Sequence, residues 1–128
     1  LVAGAFGMTI GYLNERKQFG VKIGSFQALA HRAAHLWCEI EVTTSAVLNA
    51  ARCLDDTPAE AGMAVSLAKA RGITTAQLAV MEGVQMHGGI GMTDEYEIGF
   101  FMKRSRVCEH ALGNSAFHRD RYGVLQGY

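Results

Sequence analysis

Residues 25–58 read SFQALAHRAAHLWCEIEVTTSAVLNAARCLDDTP, and the spacing of the apolar side chains in this stretch decides the architecture. Phe26, Leu29, Ala33, Trp37, Ile40, Thr44, Val47, Ala51 and Leu54 recur at steps of three and four residues, which puts them on one face of a helix. Ser25 stands where an N-cap belongs. Asp55-Asp56-Thr57-Pro58 stops this helix and starts another, with Thr57 as the next N-cap and Pro58 at the first helical position. The second helix carries Met63, Leu67, Ala70, Thr74, Leu78, Met81 and Val84 on one side and runs to about Val84 or Gln85. Each helix has roughly 30 residues and spans ~45 Å. A turn this short makes the two antiparallel.

The rest of the chain reads outward from that hairpin. A shorter helix from about Val2 to Arg16 precedes it and ends near Gly20. Thr93 or Asp94 caps a helix that continues to about Cys108, Gly113-Asn114 interrupts it, and a last helix covers about Ser115 to Leu125. No segment alternates with period two for long enough to form a strand. The expected fold is all-α, an up-down four-helix bundle with a short extra C-terminal helix, as one domain over residues 1–128. Its long helices exceed the usual globular length and suit packing against another subunit.

Composition narrows the function. Twelve basic and twelve acidic residues cancel, so no overall positive field recruits nucleic acid or an anionic membrane. No apolar run approaches the ~20 residues that span a bilayer, and no cationic signal peptide opens the chain. Cys38, Cys53 and Cys108 are odd in number and lack CxxC spacing, which points to reduced thiols, core filler, and a cytoplasmic or other reducing compartment.

Two stretches carry possible chemistry. The first is QMHGGIGMTDEYE, residues 85–97, in which Gly88, Gly89 and Gly91 lie between two helices. One reading is a C-cap glycine followed by an irregular turn. The other is a bare backbone that lets a flat or phosphorylated ligand approach, with N–H groups for anionic oxygens and with Gln85 and His87 as flanking donors. The spacing is not a dinucleotide fingerprint, because GGIG lacks G-x-G-x-x-G and follows a helix. The second stretch is Glu15-Arg16-Lys17-Gln18-Phe19-Gly20, followed by Ile23, Phe26 and Gln27. It reads either as a charged helix C-terminus or as phosphate recognition by the planar fork of Arg16. His31, His35 and Glu39 share a helix face, but no His-Glu-x-x-His or paired Glu-x-x-His accompanies them, so no metal site is expected.

In register, Arg16, Phe19, Gly20, Phe26, Gln27, Gln85, Gly88, Gly89, Gly91, Glu95 and Tyr96 resemble the Arg-x-x-Phe-Gly and Gln-x-x-Gly-Gly-x-Gly segments of the C-terminal helical domain of the acyl-CoA dehydrogenases. The resemblance covers nearly the whole chain. It implies FAD-dependent α,β-dehydrogenation of an acyl-CoA thioester, and a homodimer or dimer of dimers. It also implies that Arg16 meets the pyrophosphate of FAD, with Gln18, Phe19 and Gln27 beside it. Gln85, His87, Gly88 and Gly89 would then approach the nucleotide from the dimer mate. A stand-alone helical dimer or partner module without catalysis, keeping at most a nucleotide cleft, is the alternative.

Three departures from the family pattern stand out. The N-terminal helical and middle β domains of the family are absent from this chain, and the resemblance implies a separate chain that supplies them. The opening helix is about two turns short, a loss that shifts its apolar face by only ~20° per heptad. The glutamate that many members use as base, in Tyr-Glu-Gly, falls on Leu112, which leaves Glu109, one helical turn earlier, as the candidate base. Some members instead carry the base on the opening helix, ahead of the region present here.

Overall fold

The computed structural model describes residues 1–128. Five α-helices make up nearly all of it: α1 (Val2–Glu15), α2 (Gln27–Asp56), α3 (Pro58–His87), α4 (Ile98–His110) and α5 (Ser115–Gln126). Helix α3 is the hub and packs against the other four. This is the expected bundle of four helices with a short fifth.

The sequence reading missed one element. A two-stranded antiparallel hairpin, β1 (Lys17–Gln18) and β2 (Val21–Lys22), joins α1 to a 3₁₀ turn over Ile23–Ser25. With two residues per strand it is too short to show an alternating pattern. Ser25 caps nothing. Its Oγ donates to Lys22 O at 2.7 Å and closes the 3₁₀ turn, while Phe26 occupies the α2 cap position with extended backbone. Thr57 stands at the α3 cap without a side-chain bond, with Pro58 first in the helix as expected. Helix α4 also starts later than expected. Thr93 Oγ1 donates to Ile90 O at 2.8 Å, so Thr93 belongs to the glycine turn and the helix begins at Ile98. Asn114, expected only as part of the interruption, caps α5 by accepting from the Phe117 N–H at 2.9 Å.

Both long helices bury faces that overlap the expected ones only in part, with Ala33 and Ile40 on α2 and Ala70 on α3 shared by both. On α2, Ala33, Leu36, Ile40, Thr43, Ala50 and Cys53 face the core, while Trp37 stays half exposed and Thr44, Val47 and Leu54 point outward. On α3 the alanines at 61, 64, 68, 70, 76 and 79 are buried, and Leu67 and Met81 are exposed. The small residues lie between the helices because α3 has neighbours on several sides, and short side chains allow them to approach. Thr43 and Thr75 bridge α2 and α3 through a buried hydroxyl pair at 2.7 Å. Arg32 reaches Glu82 through two bonds at 2.6 and 3.1 Å. Arg71 donates to Glu39 at 2.8 Å, so the carboxylate of the His31–His35–Glu39 face already has a cationic partner.

Candidate functional site

Each of the three glycines after α3 has its own reason. Gly88 ends the helix with φ +66° and its N–H bonded to Gln85 O, a backbone state that L side chains avoid. Gly91 is buried against the preceding helix, where an added Cβ would lie 2.8 Å from Val84 O and 2.9 Å from His87 Cβ. Gly89 is different. Its φ is ordinary and an added Cβ would meet no protein atom. It faces open space in a cleft of about 530 Å³.

That cleft brings the two sequence stretches together within one chain. Arg16, Gln18 and Phe19 line one wall and Gln85, His87, Gly88 and Gly89 the other, with Ile23, Phe26 and Leu29 as apolar floor. Gln27 does not line it; it opens α2 beside Phe26. The resemblance places the glycine segment of a dimer mate at Arg16; within this one chain the two segments also line a common cleft. The hairpin folds α1's C-terminus back toward the end of α3, so both segments meet in cis. Arg16 caps α1 with its N–H bonded to Tyr12 O and its C=O accepting from Ile23 N at 2.9 Å. Its guanidinium is exposed and forms none of the chain's three ion pairs. It is free for an anion at the cleft rim.

His87 forms the inner wall. It is 3% exposed, and its Nδ1 lies 2.6 Å from Gly83 O. A carbonyl only accepts, so Nδ1 carries the proton. Tyr12 stacks on the imidazole at 4.5 Å between centroids, and Tyr96 tilts against it at 4.7 Å. Burial lowers the His87 pKa, with the Gly83 bond opposing that in part, so the ring is neutral at pH 7. Tyr12 was missed in the sequence reading, although it sits four residues before Arg16 on the same helix face.

Phe19 is a local conflict. It carries φ +53°, which costs a bulky L-residue on the order of 1 kcal/mol, and the residue is 88% exposed.

Glu109 lies elsewhere. It faces a separate groove between α3 and α4 lined by Lys69, Gly72, Ile73, Ala76, Ser105 and Cys108. Arg106 donates to its carboxylate at 2.9 Å; that bond, followed by one from Gln77, lowers its pKa and weakens it as a base. Leu112, at the position of the family glutamate, is 91% exposed with φ +61°. His118 holds the turn from behind through Nε2 at 2.9 Å from Leu112 O.

The cleft's residues suit a phosphorylated, ring-bearing ligand: a free guanidinium, an accessible glycine backbone and an apolar floor. Comparison with known proteins agrees with the fold. Residues 1–123 match the acyl-CoA dehydrogenase C-terminal domain, and the chain belongs to that family. It is 41% identical over 105 residues to the acyl-CoA dehydrogenase IpdE2 of Mycobacterium tuberculosis, covering 82% of this chain and 31% of that protein. It superposes with a TM-score of 0.90 on the ChsE4–ChsE5 complex of the same organism, at 25% identity over 98% of this chain and 34% of that one. The FAD complex of PigA shares the fold, with a TM-score of 0.90 at 20% identity over 98% of this chain and 33% of that one. The chain thus spans about a third of the length of these proteins. The family is FAD-dependent. No helix is long and apolar enough to cross a membrane.

Proposed function

We propose that this chain is the C-terminal helical domain of an FAD-dependent acyl-CoA dehydrogenase, and that it holds the adenosine diphosphate half of the cofactor. Arg16 takes the pyrophosphate, Gln18 and Phe19 flank it, and Gln85, His87, Gly88 and Gly89 form the opposing wall, with Gln27 at the margin. When bound, FAD supplies the hydride acceptor for α,β-dehydrogenation of an acyl-CoA thioester. An N-terminal helical domain and a middle β domain, on the same polypeptide or a separate chain, complete the acyl-CoA pocket. The observation that carries this reading is the meeting of the Arg16 and Gln85–Gly89 segments on one cleft. Arg16→Ala tests it: FAD and ADP affinity should fall about tenfold or more, the worth of a charge-assisted bond, with helicity unchanged. Equal affinity in the variant would refute it.

The outer face of α2 supports self-association into a homodimer or dimer of dimers. Trp37, Thr44, Leu48 and Ala51 recur there at steps of seven, four and three residues and are all exposed, a stripe of the kind that a second copy covers. Three free thiols, at Cys38, Cys53 and Cys108, fit a reducing compartment such as the cytoplasm.

A second reading also has support: a non-catalytic module that keeps the nucleotide cleft. Leu112 cannot accept a proton, and Glu109 is tied to Arg106. If Glu109 is the base, Glu109→Gln in the completed enzyme abolishes thioester oxidation without releasing FAD.

A further inference from the structure

The turn between α4 and α5 is held more firmly than its own side chains explain. Leu112 carries φ +61° and Gly113 φ +99°, so two successive residues lie in the left-handed region. Glycine suits the second position, where an added Cβ would lie 2.5 Å from Phe117 Cδ1. Leucine does not suit the first, which favours glycine, asparagine or aspartate. Leu112 is also almost wholly exposed, so no contact of its side chain within the chain offsets the conformation.

The backbone is held from behind instead. His118 is buried, and its Nε2 lies 2.9 Å from Leu112 O. A carbonyl only accepts, so Nε2 carries the proton and Nδ1 is bare. That Nδ1 is buried without a partner. A ring needed only for packing would carry no such orphan, so the imidazole serves through the bond it donates. On the α4 side, Lys69 Nζ donates to Cys108 O at 2.9 Å and ties the end of the helix to α3.

We propose that His118 is a positioning residue: its bond to Leu112 O keeps the turn left-handed and so fixes the direction in which side chain 112 leaves the domain. A strained, rigid mount for a side chain that touches nothing in its own chain belongs to a contact made outside it. Leucine makes that contact apolar. What it meets rests on the dehydrogenase reading given above, in which the acyl group of the thioester is the apolar partner. How it is held rests on the geometry of this chain alone.

The test compares His118→Gln and His118→Phe with the parent. A glutamine amide can donate to Leu112 O from the same place, whereas a phenylalanine ring fills the site and cannot. Backbone coupling constants should report positive φ for Leu112 in the parent and in His118→Gln, and an averaged value in His118→Phe. The Leu112 and Gly113 amides of His118→Phe should also exchange about fivefold to tenfold faster, the scale of one lost hydrogen bond. In the completed enzyme, His118→Phe should lower kcat/KM for an acyl-CoA thioester about tenfold or more, as a misplaced substrate-facing group does. Its FAD affinity should be kept, and His118→Gln should keep both. Positive φ retained in His118→Phe would overturn the proposal. So would equal loss in both variants, which would leave His118 a packing residue, or a kcat/KM unmoved by a released turn. A completed parent enzyme without thioester oxidation would refute the dehydrogenase reading instead, and the coupling constants would still decide whether His118 holds the turn.

Discussion

The two ends of the bundle fill their cores with different residues. Around the cleft the buried cluster includes Leu13, Ile23, Leu36, Ile40 and Met86, with Phe6, Tyr12 and Leu29 packed on it. At the far end, where α2 turns into α3, it consists of Ala50, Cys53, Ala61, Ala64 and Ala68. Small residues let two helices lie close and leave larger apolar side chains, such as Val47, Leu48 and Leu54, on the outside. Large residues at the other end, together with the chain between α1 and α2, leave a concave surface. On the proposed reading the concave end is the one that holds a ligand.

This contrast can be broken most severely by exchanging residue sizes. Leu36→Ala removes a fully buried side chain at the cleft end and should cost about 2–5 kcal/mol in denaturant unfolding. Ala68→Leu at the far end should cost about 1–3 kcal/mol through overpacking. If the far end tolerates the larger residue without loss, its close packing is not what the small residues secure.

The glycine loop sharpens the comparison within the cleft. Gly91→Ala forces a Cβ within 2.8 Å of Val84 O and 2.9 Å of His87 Cβ, so it should lower the melting temperature, by roughly 1–3 kcal/mol of overpacking. Gly89→Ala meets no protein atom and should leave the melting temperature unchanged while weakening FAD binding. Equal melting temperatures for the two variants would remove the distinction between a packing glycine and a ligand-facing one.

The smallest expected effect is a pH dependence located at the cleft. Burial lowers the folded-state pKa of His87 below its unfolded value of about 6.5. The unfolded chain therefore binds the proton first, and stability rises with pH across the window between the two values. His87's contribution is complete above about 6.5 and is lost as pH falls through the folded-state pKa. His87→Phe should flatten that part of the unfolding profile. An unchanged slope would mean that His87 titrates normally.

Much of this could be read in the sequence. The helices, the Asp55–Pro58 junction and the break at Gly113-Asn114 follow from three- and four-residue periodicity and breaker residues, which are local. What could not be read depends on neighbours. Trp37 and Leu54 mark positions on α2 that the core leaves exposed, because contact with α3 selects Leu36, Thr43, Ala50 and Cys53 instead. The Phe19–Gly20 hairpin was hidden by its length. The stretches around Arg16 and Gly88 stood out for their residue types, but their meeting in one chain depends on how the hairpin turns, which composition does not encode. Tyr12 was within reach, four residues ahead of Arg16.

The most direct measurement is a ¹H–¹⁵N chemical-shift titration of the chain with ADP. The account predicts that the largest shifts fall together on the amides of residues 16–20 and 85–90, from the same chain and with one affinity. Shifts confined to one of those segments, or centred on α5 or the α2–α3 junction, would contradict it.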